Sequence, residues 1–129
     1  MGTRCLTYVY DGETPIMCMY RQYDGYLSGH GQELANFLNE LTIGEGISGK
    51  SDLFTYANGM GDLAAQMIVN FKKSPGGFYI HPIDFNQDCW QEYEYHVYEK
   101  HVVVKNPTEV IFDGYWSDFL SFTTEKESV

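Results

Sequence analysis

A segment in the first quarter of the chain combines glycines with side chains that can hold an anion and an aromatic ring. Its candidate ligand-binding residues are Tyr20, Arg21, Tyr23, Asp24, Gly25, Tyr26, Ser28, Gly29, His30 and Gly31. A guanidinium pairs well with phosphate or carboxylate, and loop amides and a helix N-terminus add donors for an anion. Tyrosine rings can stack on a base. We therefore predict that the strand, loop and helix over residues 20–34 bind a small anionic or nucleotide-like ligand.

The same residues have a structural alternative. Arg21 could pair with Asp24 or with a neighbour in the sheet, and the glycines could serve only to shape the turn. Two further loops, residues 44–51 and 56–62, could flank the same edge or simply be solvated. The first of them fits the pattern G-x-x-x-x-G-K-S formally. However, a phosphate-binding loop of that type follows a buried strand, whereas the residues before this loop have a helical pattern.

Catalytic and metal-binding motifs are weak in this sequence. Asp24 and His30 could act as an acid–base pair in a small hydrolase if the fold brings both into one cleft. There is no G-x-S-x-G elbow and no recognisable arrangement of cysteine and histidine. His96 and His101 are expected on adjoining strands, but their spacing matches no established metal motif. We expect a non-enzymatic protein with no cofactor and no metal.

Composition limits the classes of partner. The 129 residues carry a formal charge of −10, and residues 81–129 alone contain ten acidic residues and three lysines. Such a surface repels phosphate backbones, so direct binding to DNA or RNA is not expected. Acidity fits solubility, a basic protein partner or mimicry of a nucleic acid. An aromatic share of 16%, with eleven tyrosines, supplies material for a pocket or an interface.

Three cysteines, an odd number with no zinc-like spacing, indicate a reducing compartment, and we expect Cys5 and Cys18 to lie in the core. No charged segment followed by an apolar one comes after Met1, and no apolar run approaches the length of a membrane span, so we expect neither a secretory signal nor a membrane helix. The expected location is therefore the cytoplasm, and no membrane partner is expected. Self-association is left open.

The periodicity predicts one α+β domain over residues 1–129, in the order β-β-α-α-β-β-β with a short C-terminal helix. Residues 4–23 should form a hairpin in a mainly antiparallel sheet, with two helices packed on one face. The core residues expected from these helices are Leu34, Phe37, Leu38, Leu63, Met67, Ile68 and Phe71. The short helix is expected to end near Phe122, with a frayed tail over residues 123–129.

The opening Met1-Gly2-Thr3-Arg4-Cys5-Leu6-Thr7 and the run from Tyr20 to Gly31 resemble a group of short uncharacterised proteins of bacteria and their phages. The stretch from Phe112 to Phe119 is similar to the end of the same group. No activity comes with the resemblance. It implies a genomic setting in which small proteins often oppose host defence, by capturing a nucleotide signal or by blocking a protein complex. In a phage-encoded protein the compartment would be the cytoplasm of the bacterial host.

Three hypotheses follow in order of preference. The first is a binding protein that sequesters a small anionic ligand through residues 20–34. The second is an inhibitor or adaptor that binds a basic protein through its acidic, tyrosine-rich C-terminal strands, where Glu92, Glu94, Glu99 and Asp113 should be exposed on one side. The third is the hydrolase that uses Asp24 and His30.

Overall fold

A computed structural model describes residues 2–44, 56–84 and 89–127, with side chains through residue 125. Within these residues lie eight strands and three α-helices. The strands are β1 (Arg4–Asp11), β2 (Thr14–Arg21), β3 (Thr42–Gly44), β4 (Tyr56–Asn58), β5 (Phe78–His81), β6 (Gln91–Tyr98), β7 (His101–Lys105) and β8 (Val110–Tyr115). The helices are α1 (Gln32–Asn39), α2 (Gly59–Phe71) and α3 (Trp116–Glu127). A π-helical turn, Leu27–Gly31, leads directly into α1.

The main sheet has six strands in the order β5-β2-β1-β6-β7-β8. Only the pairing of β1 with β6 is parallel among these strands, and the other four pairings are antiparallel. The predicted α+β fold with a mainly antiparallel sheet is therefore confirmed, and so is the N-terminal hairpin. Its turn uses Gly12 at φ 62°, a conformation that glycine adopts without steric cost.

The helices cover one face of the sheet. Along β1, Cys5 and Val9 point to the helices and belong to the main core, whereas Leu6 and Tyr8 point to the other side. This alternation follows from the pleat of a strand, which directs successive side chains to opposite faces. We call the first side the helix face and the second the open face. On the open face, Leu6, Tyr8 and Cys18 form a small separate cluster against which Cys89 packs.

The predicted core residues lie where the helical spacing placed them. Leu34, Leu38, Leu63 and Met67 have no exposed surface, and Phe37 and Phe71 retain less than a tenth of theirs. Ile68 is partly buried against the same core. The helix face thus provides the hydrophobic burial that stabilises the domain.

The C-terminal helix is longer than the sequence indicated. It begins at Trp116 and runs to Glu127, so the prediction of a frayed tail from residue 123 was wrong over residues 123–127. Phe119 and Thr123 are fully buried on it, and it packs against α1 and the π-helical turn. Tertiary burial of one face stabilises this helix despite its polar C-terminal sequence.

The parallel pair β3–β4, which stands apart from the main sheet, was not predicted. The candidate loop over residues 44–51 falls almost entirely outside the described residues. The third candidate loop, residues 56–62, is β4 followed by the first turn of α2. There the Asn58 backbone N–H donates to Asp62 Oδ2 at 2.7 Å.

Candidate functional site: the Arg21 cleft and the open sheet face

The ten predicted ligand-binding residues do not converge on one surface. Tyr20 and Arg21 are neighbours on β2, so the pleat sends them to opposite faces of the sheet. On the open face, Tyr20 Oη accepts a hydrogen bond from Arg4 Nε at 2.9 Å. On the helix face, Arg21 contacts His30 and Glu33. A single ligand therefore meets Arg21 without meeting Tyr20.

The glycine-rich loop is packed closely against the start of β1. Gly25 N–H donates to the Thr3 carbonyl oxygen at 2.8 Å, and the Gly25 carbonyl accepts from buried Tyr95 Oη at 2.8 Å. A Cβ atom at position 25 would lie 2.8 Å from Cys5 Cβ and 2.9 Å from the Thr3 carbonyl oxygen. At this position the absence of a side chain is needed for the close approach, which is a structural use of glycine.

The loop closes on itself through its backbone. His30 N–H donates to the Asp24 carbonyl oxygen at 2.7 Å, and Asp24 adopts φ 63°. A Cβ atom on Gly29 would lie 2.6 Å from that same carbonyl oxygen. Gly31 is buried beside Tyr95 and Thr123. The glycines thus shape the loop, as the structural alternative proposed.

His30 is fully buried between the sheet and the helices. Its Nε2 lies 2.8 Å from Thr7 Oγ1, and its ring packs against Phe71 and Tyr95 with centroids 5.0 and 4.9 Å away. Burial, with a smaller contribution from the Arg21 charge, lowers the pKa of His30 to about 3. The imidazole is therefore neutral at physiological pH and has no exposed atom with which to touch a ligand.

His30 contacts the inward-facing side of the Arg21 guanidinium. Arg21 Nη1 lies 3.2 Å from His30 Nδ1, and a guanidinium can only donate, so Nδ1 accepts and Nε2–H is left to donate to Thr7. Arg21 Cζ lies 4.9 Å from the centroid of the Phe78 ring. On the outer side, Arg21 donates to Glu33 at 3.0 and 3.5 Å. The ion-pair partner of Arg21 is thus Glu33, on the first turn of α1, and not Asp24 as the structural alternative predicted.

Arg21 opens onto a cleft of about 350 Å³ between α1, the end of α2 and the start of β5. The residues that line it are Arg21, Glu33, Asn36, Phe37, Glu40, Asn70, Phe71, Lys73 and Phe78. Most of these were missing from the sequence prediction. They lie on three separate elements, and local spacing carries no signal that brings such elements together.

The other polar residues of the loop are at the surface. Tyr23 and Tyr26 are 54% and 40% exposed, and Asp24 and Ser28 are also exposed. Tyr26 Oη donates weakly to Asp24 Oδ1 at 3.4 Å. None of the three predicted tyrosines lines the Arg21 cleft. The structure also keeps the carboxylate of Asp24 away from the buried imidazole of His30, so these two side chains do not form an acid–base pair.

A second polar arrangement lies on the open face. Tyr10 Oη lies 2.7 Å from His96 Nδ1, and His96 Nε2 lies 3.1 Å from Glu94 Oε1. The hydrogen bond with His96, together with one from Gln91, holds the pKa of Glu94 below its usual value against the opposing effect of burial. The Tyr8 ring stacks on His96 at 5.0 Å. The order of these residues in the sequence did not reveal this chain of hydrogen bonds, because Tyr10 and His96 are 86 positions apart.

His96 and His101 share this face on neighbouring strands, as expected, but each pairs with its own carboxylate. His96 contacts Glu94, and His101 contacts Asp113. Across residues 2–44, 56–84 and 89–127 there is no group of three or more side chains suited to hold a metal ion. In the same ranges no helix has the length and apolarity needed to cross a membrane.

The chain matches no protein-family model, no curated protein and no solved structure. The resemblance to small phage and bacterial proteins therefore stays a prediction.

Proposed function

We propose that this protein is a non-enzymatic binding protein that captures a small anionic, nucleotide-like ligand in the Arg21 cleft. The observation that supports this most directly is the placement of Arg21. Its side chain is only 11% exposed, it is held by buried His30 and Phe78, and its outward partner Glu33 is 51% exposed. A positioned guanidinium with a displaceable carboxylate in front of it is suited to exchange that carboxylate for a ligand anion.

The energetics favour such an exchange. An ion pair with a well-exposed partner contributes only about 0–1 kcal/mol, because water screens the exposed charge and the long side chains lose entropy. A phosphate can accept two parallel hydrogen bonds from a guanidinium, and charge-assisted bonds of this kind contribute roughly 1.5–3 kcal/mol each. Since His30 stays neutral beside Arg21, it does not supply a competing charge or move the guanidinium when the pH changes near neutrality.

The rest of the cleft is compatible with a small polar ligand that carries a ring. Lys73 can add a second positive charge, and the amides of Asn36 and Asn70 can donate or accept hydrogen bonds. Phe37 and Phe78 provide apolar surface. A volume of about 350 Å³ lies at the lower end of the range of small-molecule sites. Glu33 and Glu40 also line the cleft, so the ligand must compete with carboxylates.

The direct test is calorimetric titration with a panel of mono-, di- and cyclic nucleotides, and with inorganic phosphate as a reference anion. We expect at least one nucleotide to bind. Arg21→Ala should weaken that binding by about ten-fold or more, because it removes a charge-assisted hydrogen-bond donor. Lys105→Ala, at an exposed site on β7, is the matched control and should leave binding within about two-fold of the wild type.

Glu33→Gln separates a ligand site from an ordinary ion pair. This variant keeps the shape of the side chain and removes the competing charge, so it should tighten nucleotide binding by about two- to five-fold. The absence of binding by every member of the panel would contradict the proposal. So would binding that is equally strong in the wild type and in a folded Arg21→Ala variant.

The proposed biological role is sequestration. A protein that binds a nucleotide-like anion without turning it over lowers the free concentration of that ligand in the cell. The resemblance to phage proteins supports an anti-defence role of this kind, in which the ligand is a signal of the host.

A further inference from the structure

We propose that one end of the open face is a docking surface for an arginine-rich segment of another protein. The surface, which we call the tyrosine patch, consists of Tyr10, Tyr98, His101, Asp113 and Tyr115. It lies on the other side of the sheet from the Arg21 cleft and uses none of its residues. Docking at the tyrosine patch is therefore independent of the proposed capture of a small anion.

The strand register brings these residues together. Tyr98 is paired with His101 across β6 and β7, and His101 is paired with Tyr115 across β7 and β8. Residues directly opposite in a sheet point to the same face. The Tyr10 ring packs on Tyr98 with centroids 4.3 Å apart, and Tyr98 meets His101 edge-on at 5.9 Å. Three of the rings, those of Tyr10, Tyr98 and His101, are thus in contact in turn, and the strand register places Tyr115 beside His101 on β8.

This surface is accessible to a partner. Tyr115 is 67% exposed, and the side chains of His101 and Asp113 are 42% and 61% exposed. The helices α1, α2 and α3 pack on the other side of the sheet. The part of the open face around Leu6, Tyr8 and Cys18 is less accessible, because Cys89 packs on these residues.

The patch is also held rigidly. Trp116, the first residue of α3, donates its backbone N–H to the Lys100 carbonyl and its indole Nε1–H to the Tyr98 carbonyl, both at 3.0 Å. These bonds fix the β6–β7 turn against the end of β8. A rigid aromatic surface loses little conformational entropy on binding, which favours its use for recognition.

The charge around the patch identifies the partner. Asp113 lies within it, Glu99 is in the adjoining β6–β7 turn, and Asp11 and Glu13 are at the β1–β2 turn on the same end of the sheet. Lys100, beside Glu99, is the lysine at this end of the sheet, so these four carboxylates outnumber it. A second copy of a chain with a net charge of −10 would bring like charges together, and a nucleic acid would do the same.

Arginine fits this combination better than lysine. Its planar guanidinium stacks on aromatic faces and pairs with carboxylates in a fork, whereas an ammonium acts as a compact and strongly hydrated charge. The tyrosine patch offers ring faces and carboxylates within one surface. We therefore infer that the partner presents exposed arginines in an extended or helical segment.

The experiment uses a fluorescein-labelled nona-arginine peptide titrated into the full chain by fluorescence anisotropy. Nona-lysine and a neutral glycine–serine peptide of the same length serve as references. We expect nona-arginine to bind more tightly than nona-lysine, and the neutral peptide not to bind. Tyr115→Ala should weaken nona-arginine binding by about two- to five-fold, the loss expected for one exposed cation–π contact.

A pair of charge reversals tests location. Glu99→Lys, beside the patch, should weaken nona-arginine binding more than Glu109→Lys, which changes the net charge equally but lies in the loop at the other end of β7 and β8. The five residues of β7 separate these sites by about 16 Å. Equal losses in both variants would show diffuse attraction and overturn the proposal, as would an unchanged affinity in a folded Tyr115→Ala variant.

Discussion

Substitution of Gly25 tests whether the glycine loop is fixed by close packing against β1. In Gly25→Ala the new Cβ atom would lie 2.8 Å from Cys5 Cβ, 2.9 Å from the Thr3 carbonyl oxygen and 3.0 Å from the Arg4 carbonyl carbon. Carbon atoms in good contact are about 3.5–4.0 Å apart, so the loop or the strand must move. Two of these three neighbours are backbone atoms at the start of a central strand. Because that strand is paired on both sides, we expect the loop to move instead.

The expected loss can be worked out from these contacts. Overpacking of a tight site costs about 1–3 kcal/mol, and displacement of the loop weakens the Thr3–Gly25 and Tyr95–Gly25 hydrogen bonds, each with a net contribution of about 0.5–1.5 kcal/mol. We expect a total destabilisation of about 2–4 kcal/mol. For a chain of 129 residues, 1 kcal/mol corresponds to a change in Tm of about 4 °C, so the midpoint should fall by about 8–16 °C.

A second glycine supplies a control of opposite sign. Gly61 lies in α2, and a Cβ atom built there meets no other atom within 4 Å. Gly61→Ala should therefore stabilise the protein by about 0.5–1 kcal/mol, because alanine loses less backbone entropy in a helix. Urea unfolding and thermal melts of both variants are the measurements. A Gly25→Ala variant within about 0.5 kcal/mol of the wild type would refute the packing role of this loop.

Two further predictions concern buried titratable groups. The pKa of His30 is about 3 in the folded protein and about 6.5 when unfolded, so the unfolded chain binds the extra proton first as the pH falls. The free energy of unfolding should therefore decline from about pH 6.5 toward pH 3. Between pH 7 and pH 5, urea unfolding should show that the wild type loses about 2 kcal/mol more of this free energy than His30→Gln. Equal losses in the two proteins would contradict a buried neutral imidazole. Burial raises the pKa of the Cys5 thiol and raises that of Cys18 to about 11. A thiol reagent at neutral pH should therefore modify the partly exposed Cys89 first and react with the two buried cysteines only after unfolding. Fast labelling of two thiols in the native protein would contradict this prediction.

The fold was more predictable than the site, for a physical reason. Leu34, Phe37 and Leu38 repeat at helical spacing, and the alternation from Tyr93 to Tyr98 has the period of a strand, so local patterns fixed these elements. The parallel pairing of β1 with β6 left no such trace, because it depends on residues about 90 positions apart. The helix over residues 123–127 was missed since its stability comes from packing and not from its own sequence.

The candidate site shows the same limit. The sequence identified Arg21 and His30 as unusual polar residues near glycines, and the structure places them in contact. It could not show that Glu33 is the partner of Arg21, that His30 is buried, or that Asn70 and Lys73 approach from the end of α2. Each of these facts depends on how separate elements pack together. The chain of hydrogen bonds from Tyr10 through His96 to Glu94 was hidden for the same reason.

The position of β1 at the centre of the sheet has a consequence for how the chain folds. During synthesis β1 and β2 can form their hairpin early, but the other edge of β1 stays unpaired until β6 emerges from the ribosome about 90 residues later. At typical elongation rates of about 5–20 residues per second, this interval lasts about 5–18 seconds. An unpaired strand edge is a template for pairing with other chains, and non-local pairing is slow. Aggregation of nascent or refolding chains should therefore be most severe before β6 has joined the sheet.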